Sequence, residues 1–244
     1  MQAIILAAGM GSRLEDLTRN KVKCMIQVNG ISLIERVLHQ LDTLNLKRII
    51  LVVGYEARQL CDYVSGLNLQ TPVVFIENPI YDKTNNIYSL ALAQKELQED
   101  DTLLVESDLI LEDHIFDKLI QDPRPDIALI AKHQSWMDGT VVNIDCEDNI
   151  LRFIDKKSFN AADVDSYYKT VNIYKFSRMF LTSVYVPLLE EFMEEYGLNE
   201  YYEQVLKCAV EKDKSCLKAL RLNGEKWYEI DNARDLSVAR ELFP

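Results

Sequence analysis

The chain has 244 residues, 48% of them hydrophobic and 27% charged, the proportions of a globular fold rather than a disordered or low-complexity one. Its 39 acidic against 27 basic residues give a formal net charge of −12, which repels polyanions and argues against a nucleic-acid partner. No apolar run approaches the ~18 residues that span a bilayer, and Met1-Gln2-Ala3-Ile4-Ile5-Leu6 has no basic segment ahead of a signal-length apolar core, so a cytoplasmic protein without a membrane partner is expected. Five scattered cysteines (Cys24, Cys61, Cys146, Cys208, Cys216) form no CxxC pair and the three histidines are isolated. A zinc site of the usual spacing is therefore excluded, and free thiols in a reducing compartment are the simplest reading.

The elements alternate along the chain. Residues 3–7 are a short continuous apolar run, the mark of a strand buried on both faces. Residues 31–44 have helical apolar spacing, and 48–53 are a second buried strand ended by Gly54. A helix over 56–64, a strand over 72–76, a helix over 86–97 and a strand over 102–105 follow, the last running into Glu106-Ser107-Asp108. A helix over 114–120 and a strand over 127–131 complete this part. Strands alternating with helices imply a largely parallel sheet.

The rhythm then changes. Segments 140–144 and 150–153 flank Asp145-Cys146-Glu147-Asp148-Asn149 as a hairpin. A strand over 170–176, helices over 178–196 and 200–211, a strand over 217–222 and a closing helix over 235–242 follow. At about 150 residues per domain, and with no Pro-, Gly- or Ser-rich linker, the expectation is one domain. It would have a nucleotide-binding half over 1–132 and a smaller α+β half over 133–244 that binds an acceptor and closes the fold.

Two of only eight glycines fall in Leu6-Ala7-Ala8-Gly9-Met10-Gly11-Ser12-Arg13-Leu14, at the end of the first strand. Small residues there let backbone N–H groups approach a phosphate, although a tight strand-to-helix turn would use the same residues. The Gly-Lys-Ser/Thr of a P-loop is missing, and Leu14 stands where a dinucleotide fingerprint needs a third small residue. Arg13 and Lys23 are two cations beside this loop, suited to a polyphosphate leaving group.

This stretch, with Lys23, resembles the signature of the nucleotidylyltransferases that act on sugar phosphates and small phospho-alcohols, Leu-Ala-Ala-Gly-x-Gly-x-Arg-Leu followed by Pro-Lys. Val22 replaces the usual proline. Asn85-Asn86-Ile87-Tyr88-Ser89-Leu90 resembles a segment of the cytidylyltransferase branch that activates 2-aminoethylphosphonate or phosphocholine with CTP. The resemblance implies a Rossmann-like α/β fold with a mixed, mostly parallel sheet flanked by helices. It implies Arg13 and Lys23 as catalytic residues on the β- and γ-phosphates. Leu6, Ala8, Gly9, Gly11, Ser12, Asn85, Asn86 and Ser89 would bind the nucleotide, Asn85 serving equally well as a helix cap. Asp108 and Asp231 would hold Mg²⁺.

On the acceptor side, Lys156 and Lys157 resemble the family's phosphate-binding acidic-Lys segment, and Lys169 precedes a strand that resembles the phosphonate branch. Trp136, Asp138, Tyr167 and Glu229 combine aromatic faces and carboxylates, which a small cation requires; each aromatic could equally be core. The expected activity is CMP transfer from CTP to 2-aminoethylphosphonate with release of pyrophosphate. Phosphocholine is the nearest alternative acceptor. A sugar-1-phosphate nucleotidylyltransferase and a non-catalytic nucleotide-sensing subunit are further ones. The expected partners are CTP and a small phosphonate or phosphate ester, with a homodimer left open.

Overall fold

The computed structural model describes residues 1–11 and 21–244. Strand β1 (Gln2–Ala7) leads through the glycine loop to one turn of 3₁₀ helix at Lys23–Met25. A small hairpin of β2 (Gln27–Val28) and β3 (Ile31–Ser32) opens helix α1 (Leu33–Asp42). Then come β4 (Ile49–Val53), α2 (Ala57–Ser65), β5 (Val73–Glu77), α3 (Asn86–Leu92), α4 (Gln94–Leu97), β6 (Thr102–Glu106), β7 (Leu109–Leu111), α5 (His114–Gln121) and β8 (Ile127–Lys132). The second half holds β9 (Val141–Ile144), β10 (Ile150–Ile154), β11 (Tyr168–Phe176), α6 (Arg178–Phe180), α7 (Val186–Tyr196), α8 (Glu203–Lys212), β12 (Lys218–Leu222), β13 (Trp227–Glu229) and α9 (Ala233–Leu242).

Strands β5, β4, β1 and β6 lie side by side and parallel. The expected α/β sheet is thus present, with β1 near its centre. Along β1, Ala3, Ile5 and Ala7 enter one core and Ile4 and Leu6 the other, the two-residue period of a strand covered on both faces. Helices α1, α2 and α5 pack on the first side, and α3, α7 and α8 on the second. Strand β11 runs antiparallel to β6 and also pairs with β8 and β9, and β12 extends the sheet parallel to β8. The second half therefore finishes the same sheet.

Three expected elements differ. The 31–44 helix begins at Leu33, because Ile31 and Ser32 pair back across an Asn29-Gly30 turn in which both residues have positive φ, the signature of a two-residue hairpin. Ser32 Oγ caps the helix by accepting from Glu35 N at 3.2 Å. The 86–97 helix breaks at Ala93. The 178–196 helix contains a π turn over Leu181–Tyr185, where Val186 N donates to Leu181 O. Pro187 has no N–H to continue the ordinary ladder past it.

The sequence does not predict the pairing of β7 with β13, which matters most for the site. They pair antiparallel, Leu109 opposite Glu229, and Ile230 N donates to Asp108 O at 3.0 Å. That pairing carries Asp231 to the end of the parallel sheet, beside Asp108.

Candidate active site

The site lies at the carboxyl ends of β1 and β6, where open α/β sheets form their crevices. Gly11 has φ +63°, and a Cβ there would come within 2.8 Å of Lys23 Cβ. The backbone of the loop thus rests on the stem of Lys23. Gly54, at the end of β4, is packed equally tightly: its Cβ would meet Ala8 O at 2.8 Å. A side chain at either glycine would push the loop out of place.

Lys23 is anchored by its neighbour Cys24, which is fully buried. Its Nζ donates to Asp108 Oδ2 at 2.6 Å and to Asp231 Oδ1 at 2.8 Å. Burial alone would pull the ammonium's pKa down, but the two carboxylates more than reverse this and hold it above its ordinary value. Asp108 Oδ1 is buried and has no hydrogen-bond partner among the described residues. Carboxylate oxygens of Glu106, Asp108 and Glu229 approach within 4.8 Å of one another. Hard oxygen donors with an unpaired buried atom fit a divalent cation of the Mg²⁺ type; the group shares Asp108 with the expected pair but adds Glu106 and Glu229, while Asp231 Oδ1 accepts from Lys23.

A cavity of about 270 Å³ is lined by Leu6, Ala8, Gly9, Gly11, Lys23 and Asn85, among others. It meets a larger one of about 620 Å³ whose lining includes Asp138, Lys156, Lys169, Glu203 and Glu229. Asn86, Glu106, Asp108, Tyr201 and Asp231 belong to both. Two cavities joined at a carboxylate wall give room for two substrates to meet.

Lys169 is 2% exposed. Its Nζ donates to Thr170 O at 2.8 Å and lies 3.3 Å from Glu229 Oε2. Asn172 sits in a bulge of β11 with φ +60°, its Oδ1 accepting from Thr170 Oγ1 at 2.9 Å and its Nδ2 3.5 Å from Glu229 Oε1. Asn tolerates the left-handed conformation better than most residues, and the bulge turns its amide toward the site.

The acids here repel one another. Desolvation, then Asp108, Glu203 and Glu229, push the Glu106 carboxyl well above the usual range. Desolvation likewise raises Glu229, against the opposing charge of Lys169. Glu203 is pushed up to about 7, mainly by burial, with Lys169 and an Asn86 hydrogen bond opposing. A carboxyl raised this way keeps, in the folded chain, a proton that the unfolded chain loses above its ordinary pKa of 4.5. It therefore disfavours the fold progressively as pH climbs from about 4.5 to about 7. We expect Glu203→Gln to raise Tm more at pH 8 than at pH 5; an equal change at both, measured by thermal melting, would show that Glu203 does not titrate in this window.

Leu6, Ala8, Gly9, Gly11, Lys23, Asn85, Asn86, Asp108 and Asp231 are gathered around the first cavity. Ser12 and Arg13 lie outside the described residues. Asn85 Oδ1 accepts from Asn86 N at 2.8 Å, which is the capping role. Asn86 is a brace: its Oδ1 accepts from Tyr202 N at 3.0 Å and its Nδ2 reaches Glu106 Oε1 at 3.3 Å. Ser89 is buried behind the wall, where Asn78 Nδ2 donates to its Oγ at 3.1 Å.

On the acceptor side, exposed Lys156 pairs with Asp138 at 2.7 Å. Trp136 stacks on Tyr228, centroids 4.3 Å apart and planes at 8°, and lines a small side cavity with Asp138 and Glu229. Tyr167, expected on the acceptor side, is instead core: it is 1% exposed and packs on Phe159, Val141 and Ile154. Sequence reasoning missed Glu203 and Asn172. An acid among the buried positions Val205, Leu206, Ala209 and Val210 of α8 was the available signal for the first; none announced the second.

The family described as the MobA-like NTP transferase domain matches residues 3–208. The chain belongs to this family. Membership agrees with the resemblance read from the glycine loop. The chain is 42% identical over 125 residues to the 2-aminoethylphosphonate cytidylyltransferase of Lancefieldella rimae, a match covering 50% of this chain and 47% of that protein. It is 25% identical over 236 residues to the CMP-5'-(3-aminopropyl)phosphonate synthase of Streptomyces rubellomurinus, covering 96% of this chain and 37% of that protein. Each match thus spans less than half the length of the relative. The solved structure of CTP:phosphocholine cytidylyltransferase from Streptococcus pneumoniae superposes with a TM-score of 0.82 at 24% identity, covering 100% of this chain and 99% of that one; it shares the fold. No helix among the described residues is long and apolar enough to cross a membrane, and all five cysteines are free thiols.

Proposed function

We propose that this protein transfers CMP from CTP to a small amine-bearing phosphonate, with 2-aminoethylphosphonate as the favoured acceptor, and releases pyrophosphate. The observation that carries this is Lys23 held between Asp108 and Asp231, where a glycine-loop cavity joins a second one. A phosphonate oxygen is already ionised at pH 7, so its attack on the α-phosphorus needs no general base. A P–O bond forms as the α–β bridge breaks, and the electrons leave with pyrophosphate. The residues then act by positioning and by charge. Lys23 neutralises the leaving group, joined in this reading by Arg13. Mg²⁺ held by Asp108 and Asp231 would neutralise triphosphate charge at the same place. Lys156 and Lys169 are the candidates to hold the acceptor's phosphonyl group.

Among the described residues lining the larger cavity, Tyr201 is the sole aromatic. A trimethylammonium is best met by several aromatic faces, whereas carboxylates suit a primary ammonium. This favours 2-aminoethylphosphonate over phosphocholine.

Pyrophosphate release measured over CTP, UTP, ATP and GTP with both acceptors tests the reading. Cytosine offers a 4-amino donor and an N3 acceptor, and uracil reverses that pattern. A buried group left unpaired costs about 1–3 kcal/mol, so kcat/KM should favour CTP by about 10- to 100-fold. Equal values for CTP and UTP would overturn the nucleotide assignment, and a tenfold preference for phosphocholine the acceptor assignment.

A further inference from the structure

Glu203 stands at the start of α8, only 7% exposed, and faces the larger cavity. Its Oε2 is buried and has no hydrogen-bond partner among the described residues. Buried polar atoms nearly always find partners, and an unpaired carboxylate oxygen is costly. The nearby groups, Lys169 and the Asn86 amide, relieve it only in part. Lys169 is already engaged by Thr170 O and Glu229, and the side chain of Asn86 is divided among Glu203, Glu106 and Tyr202. Around Lys23 and Lys169 stand the carboxyls of Glu106, Asp108, Glu203, Glu229 and Asp231. Asp108 and Asp231 have Lys23, Glu229 has Lys169, and Glu106 belongs to the carboxylate group that suits a metal, which leaves Glu203 without a cation of its own. The same cavity carries the exposed Lys156 and Lys157, so its lining combines an uncompensated acid with bases, as a small molecule bearing an ammonium and an anionic group would require.

We propose that Glu203 binds the ammonium group of the acceptor and so selects acceptors that carry a primary amine. The inference rests on the transfer reaction proposed above and assigns its acceptor specificity. A primary ammonium has three N–H donors and no acceptor, which matches a cluster of acceptor oxygens. Glu203 is a specificity residue in this reading, since bond making and breaking occur at phosphorus.

The experiment measures kcat/KM at saturating CTP for 2-aminoethylphosphonate and for 2-hydroxyethylphosphonate, an acceptor of similar size without the charge. In Glu203→Gln the ratio of the two should fall at least tenfold, chiefly through KM of the amine. Glu203→Asp keeps the charge but withdraws it by one methylene, and should lose less; it carries the test if the Gln variant does not fold. A ratio unchanged from wild type, with both acceptors slowed alike, would mean that Glu203 merely supports α8, and would overturn this inference while leaving the transfer reaction standing. If wild-type protein released pyrophosphate with neither acceptor, the proposed function would fall and this inference with it.

Discussion

Asp108→Asn should lower kcat for pyrophosphate release by about 100-fold or more, the size of effect seen when one strong electrostatic contact at developing charge is lost. The side chain lies within 2.6 Å of Lys23 Nζ and keeps one oxygen unpaired. It therefore orients the lysine and, in the proposed reading, would offer an oxygen to Mg²⁺. An amide of the same shape keeps the packing but loses the charge, so the folded state should persist while turnover falls. Asp231→Asn should behave alike, since it holds Lys23 from the other side. Assays at saturating CTP and Mg²⁺ decide it: wild-type kcat in either variant would remove that aspartate from the site, and full wild-type activity in excess EDTA would remove the metal.

Lys23→Ala should be costly twice over. Without ligand it leaves two carboxylates, each less than a fifth exposed, with no cation between them. Removing one partner of a buried ion pair costs on the order of 3 kcal/mol. For a chain of this length that corresponds to a drop in Tm of roughly 6–12 °C. Added Mg²⁺ should restore more stability to the variant than to wild type, because the divalent ion takes the place of the ammonium. Catalysis should not recover with it, as the leaving pyrophosphate still lacks its lysine. Thermal melts with and without Mg²⁺, beside kcat/KM, separate the two effects. An unchanged Tm together with an unchanged kcat/KM would show that Lys23 has neither role.

Much of the parallel sheet was legible because β1 and β4 are buried on both faces, which leaves uninterrupted apolar runs in the sequence. The glycine loop and Lys23 were legible because close backbone approach and charge are properties of residue type. Their convergence with two aspartates was an expectation from resemblance. The pairing of β7 with β13 that produces it depends on two strands of three residues, too short for a periodic signal. Asn172 was hidden for a related reason: its bulge arises from one strand pairing with three others. Glu203 was hidden because an acid on an amphipathic helix ordinarily faces water. Tyr167 shows the converse error, since aromatic residues near carboxylates pack on one another as readily as on a ligand.

The bond between Lys23 and Asp231 spans 208 positions of the chain, and that between Lys23 and Asp108 spans 85. The first of these separations exceeds any strand pairing inside the first half, the longest of which joins Gln2 to Thr102 across 100 positions, so it closes a longer loop. The chain can thus acquire most of its sheet and its glycine loop while the acidic wall is still incomplete. The proposed CMP transfer should then be the last property to emerge during refolding, trailing the recovery of secondary structure, because it waits on β13, a strand of three residues.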